Sequence, residues 1–331
     1  MLAHSLLVLT ALAGVQEKPV QLQRTSKAGE KLSYSVKSFL QMETREIGLD
    51  TFLPDTVDIN YDFTAEAVAA KADGIFDFRY KRPTMTVIEG ETVDAGPKKI
   101  IEKPNFDLMI TVSPINEFLE TKDLSPKKPE PKKTGGGGGT RNFKLRGAKL
   151  QDPGLMGGGL IGQFIQEVQR LALFIGSIDT AIDFQPKLDF REVSKGDTWK
   201  RTISYSPQKL KSKGNKTVMQ RLDYVYTYGG VVDSSGKKVN RVTAELKMNS
   251  DLVQFIKDNF DTSQGPFPFK EITFELAAKI DYDLDLVTGH TLKAEANSQG
   301  GFKIVAIQYP EDPIVEQKLK GNTKLTLVKK S

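Results

Sequence analysis

Cysteine is absent from the 331 residues. That excludes disulfides, thiol redox chemistry, thiolate metal sites and the lipidated cysteine of an anchored lipoprotein. Histidine is almost as scarce. Only His4 and His290 occur, too few for a multi-histidine metal centre. Tryptophan occurs once, at Trp199. Long apolar runs are missing too: residues 160–182 come nearest, but Gln163, Gln166, Glu167, Gln169, Arg170 and Asp179 interrupt them. A membrane-spanning helix needs about 20 predominantly apolar residues. No Lys or Arg precedes the first apolar stretch at the N-terminus.

That stretch consists of Leu2, Leu6 to Val8 and Leu12, and it closes on Ala11-Leu12-Ala13. A short apolar run ending in a small-x-small pattern predicts an export signal over residues 1–13, cleaved before Gly14; the competing reading is a buried N-terminal helix. The mature protein is then expected to be extracytoplasmic (periplasmic or secreted), soluble after cleavage and not lipidated. With no cysteine to staple it, the chain must hold together by packing alone, and about two domains' worth of residues is enough for that.

The net charge of +5 is unevenly placed. Residues 121–149 carry seven Lys and two Arg against Asp123 and Glu130, an excess of seven positive charges, so the rest of the chain is slightly acidic. The basic character belongs to one segment rather than to folded surfaces, which argues against specific nucleic-acid binding. Residues 121–159 read as a flexible linker. Ser125 to Lys133 is rich in Pro and Lys, Gly135 to Gly139 is an unbroken glycine run, and Gly157-Gly158-Gly159 precedes the next apolar stretch. The five-glycine run lacks the Gly-Lys-Ser/Thr ending of a phosphate-binding loop.

On both sides of this segment apolar residues recur at period two, the spacing of half-buried strands. The first half predicts strands over 31–40, 56–70, 75–80, 85–88 and 106–112, with Asp73-Gly74 as a hairpin turn. The second half predicts strands over 198–205, 218–228, 239–248, 272–286, 291–296 and 302–307. Turns are expected at Asp233 to Gly236 and at Ser298 to Gly301. Ile161, Phe164, Ile165, Val168, Leu171, Phe174, Ile175, Ile178 and Ile182 fall at three- and four-residue steps and predict an amphipathic helix over 160–182. A shorter helix is expected from Asp251 to Phe260, with Ser250 as its N-cap.

Two signatures recur in order: Gly29-Glu30-Lys31-Leu32 with Gly196-Asp197-Thr198-Trp199, and Tyr61-x-x-Thr64-x-x-x-Val68 with Tyr224-x-x-Thr227-x-x-x-Val231. They are signs of an internal duplication. The expected fold is therefore α+β, mainly β. It has two antiparallel-sheet modules, an N-terminal one over 14–120 and a C-terminal one over 160–331, with the helix of 160–182 covering the second.

Pro186-x-x-x-Phe190-x-x-Val193-x-x-Gly196-Asp197-Thr198-Trp199 and the later Asp285-x-x-Thr288-Gly289-His290-x-Leu292 resemble uncharacterised families of bacterial exported proteins and lipoproteins built from two β-sheet halves. The resemblance covers mainly residues 160–305. Lacking a lipidated Cys, the chain departs from the lipoprotein members, and the resemblance implies no catalytic residue.

Among groups that could carry chemistry, His290 sits in a Thr-Gly-His-Thr turn and is expected to face solvent at a strand start; a Ser-His-Asp triad would depend wholly on it. Asp281, Asp283 and Asp285 have the one-three-five spacing of a calcium loop, but Leu286 and Leu292 stand where the loop needs Gly and Glu, so a strand with a wet face is expected. Trp199 either stacks on a ligand or anchors a core. No catalytic residue, metal or cofactor is assigned. The leading expectation is a non-catalytic exported binding or scaffolding protein of the cell envelope or exterior. It would hold an apolar small molecule or envelope component between sheet and helix, against Phe164, Val168, Leu171 and Trp199. The alternative is a carboxylate-dependent hydrolase of envelope polymers.

Overall fold

Apolar and polar side chains alternate over fifteen residues or more in seven separate stretches, and each is a strand of about 50 Å at ~3.3 Å per residue. The computed structural model describes residues 18–91, 98–102, 106–124, 185–205, 220–259, 267 and 269–331. Its first-half strands are β1 (Val20–Gln21), β2 (Lys31–Glu46), β3 (Leu53–Ala70), β4 (Phe76–Arg82), β5 (Met85–Glu91), β6 (Lys98–Glu102), β7 (Phe106–Val112) and β8 (Phe118–Asp123). The second half supplies β9 (Glu192–Val193), β10 (Thr198–Tyr205), β11 (Gln220–Ser234), β12 (Lys237–Asp251), β13 (Phe269–Asp285), β14 (Thr291–Ala306) and β15 (Val315–Lys330).

All but β1 and β9 join one 13-stranded antiparallel sheet in the order β10-β11-β12-β13-β14-β15-β2-β3-β4-β7-β8, with β5 and β6 branching from β3. This corrects the expected fold class. The two halves do not each close a sheet of their own, because β15 pairs along β2 from Val315 opposite Glu46 to Lys330 opposite Leu32. About 70% of the described residues are strand and 3% helical, so the class is nearly all β rather than α+β. The only α-helix among the described residues is α1 (Leu252–Asn259), eight residues long and capped by Asp251, not Ser250: its Oδ1 accepts the Val253 N–H at 3.0 Å. No described helix is long and apolar enough to cross a membrane. Residues 1–13, the glycine runs of the expected linker and the apolar stretch 160–182 lie outside the described residues.

Every second residue of the long strands turns to one face and is buried there. On β2 these are Leu32, Tyr34, Val36, Ser38, Leu40, Met42 and Thr44. Near β10 to β12 this inner face is aromatic, with Trp199, Tyr224, Tyr226 and Tyr228; near β3 and β4 it is aromatic again, with Tyr61, Phe63, Phe78 and Tyr80. Between them the register sets small residues side by side. Ala278 lies opposite Ser298 and Ser298 opposite Gly321; Ala296 lies between Ile280 and Thr323, and Ala294, two residues earlier on β14, between Tyr282 and Leu325.

The sheet wraps this face around two segments that lead into it. Residues 22–26 touch β4 through Arg24, whose guanidinium lies 3.8 Å from the Phe78 ring centroid, and the β13–β14 turn through Thr25 N–H, which donates to Thr288 O at 2.9 Å. Residues 185–191 tie together the two far edges of the sheet. Leu188 N–H donates to Ile115 O at 3.0 Å just before β8, and on β10 Trp199 Nε1 donates to Lys187 O at 2.7 Å. The β1–β9 ribbon joins the two segments to each other.

One turn is built twice. In Lys27–Glu30 and in Ser194–Asp197 the fourth N–H donates to the first carbonyl, at 2.9 Å in both, and the fourth carboxylate accepts the first N–H, at 3.3 and 2.8 Å. The third residue is Gly29 or Gly196, at φ 86° and 94°, a region that costs other residues about 1–2 kcal/mol. Each glycine N–H donates to the neighbouring strand, to Ala67 O and Tyr228 O, and at each of those residues a register shift follows. The Gly29-Glu30 and Gly196-Asp197 motifs therefore mark the same local construction, whereas the two Tyr-x-x-Thr motifs stand two residues out of step, Leu222 and not Tyr224 falling at the place of Tyr61.

Candidate functional site

Where the two segments enter the sheet, polar side chains gather inside an apolar shell. Val20, Leu22 and Arg24 alternate with the exposed Gln21 and Gln23, which puts Arg24 in phase with the core. Its side chain is 2% exposed. Nη1 donates weakly to Tyr80 Oη at 3.5 Å, while Nε and Nη2 are buried with no acceptor among the described residues.

Gln185 bridges the same region, its Oε1 accepting from Thr291 N–H at 3.1 Å and Thr291 Oγ1 at 2.8 Å, its Nε2 donating to Tyr34 Oη at 3.5 Å. Burial pushes the Tyr34 phenol upward, so it stays protonated.

His290 lies beside this group and is 1% exposed. The expected solvent-facing position is thus corrected: Thr25 pairs with Thr288 and closes residues 22–26 over the turn, sealing the ring in. Burial, and then repulsion from Arg24, hold its pKa at about 4 against the opposing pull of Glu30. Glu30 sits at about 2. Burial alone would raise it, but the Lys330 ammonium, 2.6 Å away, and the His290 ring outweigh that.

At neutral pH the imidazole is therefore uncharged. Nε2 faces both Glu30 Oε2 at 3.2 Å and Ser26 Oγ at 3.1 Å. A lone pair aimed at a carboxylate would be repelled, so Nε2 carries the proton, and buried Nδ1 is an acceptor with no partner among the described residues. A serine, a histidine and an acid meet here, but not as a catalytic triad. In a triad the serine and the acid occupy opposite ring nitrogens, so that one nitrogen takes the serine's proton while the acid on the other fixes the tautomer and stabilises the imidazolium. Both sit on Nε2 here.

Trp199 is 4% exposed, stacks on Tyr226 with ring centroids 5.7 Å apart and spends its N–H on the Lys187 carbonyl. Phe164, Val168 and Leu171 lie outside the described residues. Asp281, Asp283 and Asp285 lie along β13: Thr243 donates to Asp281, Arg241 and Ser234 to Asp283, and Lys237 and the Thr288 N–H to Asp285. Tyr282 and Leu284 between them are buried. A groove of about 380 Å³ crosses the middle of β12 to β15, where Lys247, Lys279 and Lys320 stand beside Leu246, Ala278, Ser298 and Gly321.

Sequence reasoning missed Arg24, Ser26, Glu30 and Gln185. The signal for Arg24 was present, since an arginine two residues beyond Leu22 in an alternating run is placed on the apolar face. Gln185 and Ser26 belong to irregular segments, where no periodicity reports burial.

No family model matches the chain, and no curated protein matches it. Solved structures give loose likenesses. Lipovitellin, in a structure concerned with its lipid–protein interactions, matches 92% of this chain at 8% identity and a TM-score of 0.40, and the chain spans 26% of that protein's length. The hypothetical lipoprotein YmcC from Escherichia coli K12 is 12% identical, with 96% of this chain and 98% of that one covered and a TM-score of 0.21. An outer-membrane channel from Pseudomonas putida F1 is 9% identical over 93% of this chain and 99% of that one, with a TM-score of 0.22. Likenesses this loose place the chain in no family.

Proposed function

We propose that the protein is a non-catalytic binding protein of the cell envelope or exterior, exported under residues 1–13 and holding an apolar molecule against the inner face of its sheet. One observation carries this reading. The inner face is bulky and aromatic at both flanks, but along the middle of β14 it carries Ala294, Ala296 and Ser298, with Ala278 and Gly321 on either side of Ser298 and the larger Ile280, Tyr282 and Leu325 beside the two alanines. In this reading the chain-like guest lies along these small side chains, which fill less of a wrapped sheet's interior than large ones would. Trp199 contributes to the aromatic flank, and Phe164, Val168 and Leu171 are further lining candidates on their sequence alone. Residues 125–159 serve in this reading as a tether between the halves of the chain, the first residues of the expected linker, 121–123, being the end of β8.

The hydrolase alternative needs two free carboxylates facing one cleft. The buried Asp189 and Asp283 instead each accept from an arginine, Arg191 and Arg241. The test is organic extraction of protein purified from its own host, followed by mass spectrometry. A near-stoichiometric alkyl or isoprenoid compound is expected, and its loss from Ala296→Trp, with the fold retained by circular dichroism, places it on the small-residue strip. Native protein that yields no such compound overturns the proposal.

A further inference from the structure

The Arg24 guanidinium is the most costly unexplained group in the molecule. Arginine cannot shed its proton in a protein, so burial cannot neutralise it as it neutralises His290. A buried cation without a counter-charge costs several kcal/mol. Glu30, the acid coupled to the same cluster, is already engaged by Lys330 and His290. The free donors are also not scattered. Nε–H and one Nη2–H are the two parallel bonds of a single guanidinium edge, the fork that matches the two oxygens of a carboxylate. The opposite corner, Nη1, is turned to Tyr80, and the flat face is packed on Phe78. The group is thus held in place by its neighbours with its bidentate edge unused. Buried hydroxyls of Tyr34 and Tyr80 lie nearby as further donors.

Resting on the binding-protein reading above, we propose that Arg24 anchors the head group of the bound molecule, and that this molecule is an amphiphile with one carboxylate, its tail lying along the small-residue strip of β14. The strip begins at the same place. His290 and Thr291 open β14 beside the cluster, and from Thr291 to Ser298 the strand advances about 23 Å at ~3.3 Å per residue, close to the length of a long saturated acyl chain.

Calorimetric titration of the full-length mature protein with myristate, 1-tetradecanol and acetate tests this. Myristate is expected to bind at least ~10-fold more tightly than the alcohol of the same chain length, and acetate to give no comparable heat. Arg24→Met keeps the side-chain length over Phe78 while removing the charge. It is expected to melt no lower than the parent without ligand and to bind myristate about two orders of magnitude more weakly, erasing the preference for acid over alcohol. Arg24→Lys keeps the charge without the fork and is expected to fall between. Equal binding of myristate and tetradecanol to the parent protein overturns the anchor, needs no variant, and leaves the apolar-ligand reading standing. Acetate binding as tightly as myristate overturns the amphiphile. A large drop in the melting temperature of unliganded Arg24→Met overturns the proposal by making Arg24 structural. If neither myristate nor the alcohol binds, the acyl amphiphile and its anchor are overturned, while the binding-protein reading is decided by the extraction from native protein.

Discussion

A neutral imidazole sealed beside a guanidinium ties stability to pH. His290 titrates at about 4 in the fold against an ordinary 6.5. Its neutral form is therefore favoured by folding, the contribution is complete above pH 6.5, and it is lost as pH falls toward 4. Glu30 extends the loss, because its depressed carboxyl gives up stability between pH 4.5 and about 2. Urea unfolding of the wild type is expected to lose about 3 kcal/mol between pH 6.5 and 4, at ~1.36 kcal/mol per unit. His290→Gln should lose little over that window, and parallel pH profiles for the two proteins would refute the assignment. At this scale the sequence was partly legible. Asp281, Asp283 and Asp285 read correctly as part of a strand, but not as its wet side: Asp283 is buried, held by Arg241 and Ser234. His290 was not legible, because what buries it is residues 22–26, far away in sequence and without a periodic pattern.

Strand elements are set by their alternation, and where it is clean the bounds follow: 106–112 and 198–205 are β7 and β10 to the residue. The Asp73-Gly74 turn is also where expected, with φ of 57° and 69°. The expected turn at Ser298 to Gly301 is instead the middle of β14. Its glycines serve close approach rather than reversal: a Cβ on Gly300 would lie 2.2 Å from Glu275 O of β13. Gly300→Ala is expected to cost several kcal/mol through that backbone clash. Gly29→Ala meets no atom within 4 Å and should cost only about 1–2 kcal/mol for its positive φ. Chemical denaturation of the two variants gives the order, and a Gly29 variant as damaged as the Gly300 one would contradict this account. β15 escaped the sequence reading because its inner positions include Gln317, Gly321 and Thr323, which break the apolar signal. Gln317 and Thr323 are accommodated by donating to or sharing hydrogen bonds with Thr44 and Ser38 of β2.

For the whole molecule, that one strand decides the architecture. Composition and alternation made the chain legible as β-rich in both halves, but which edge pairs with which is a long-range choice that local pattern does not encode. The β15–β2 seam, together with the ties from residues 185–191 to Tyr34, Asn116 and Thr291, links both halves through one sheet. A protease site inserted at Gly135–Gly139 and then cleaved should give two fragments that co-elute on gel filtration and separate only in denaturant. Fragments that part in native buffer would show the seam to be weak.

The same seam has a consequence for the order in which the protein can be made. β2 starts at residue 31 and its partner ends at residue 330, and Lys31 and Ser331 exchange both backbone hydrogen bonds. Until the last residues are available, β2 presents a sixteen-residue open edge, well suited to pairing with another copy of itself. In the native sheet that place is taken by β15, so the edge of β2 waits until β15 has been made. A chain of this topology is suited to delivery as an extended, escorted polymer and poorly suited to folding as it emerges. The risk of aggregation is concentrated in the interval before β15 is made.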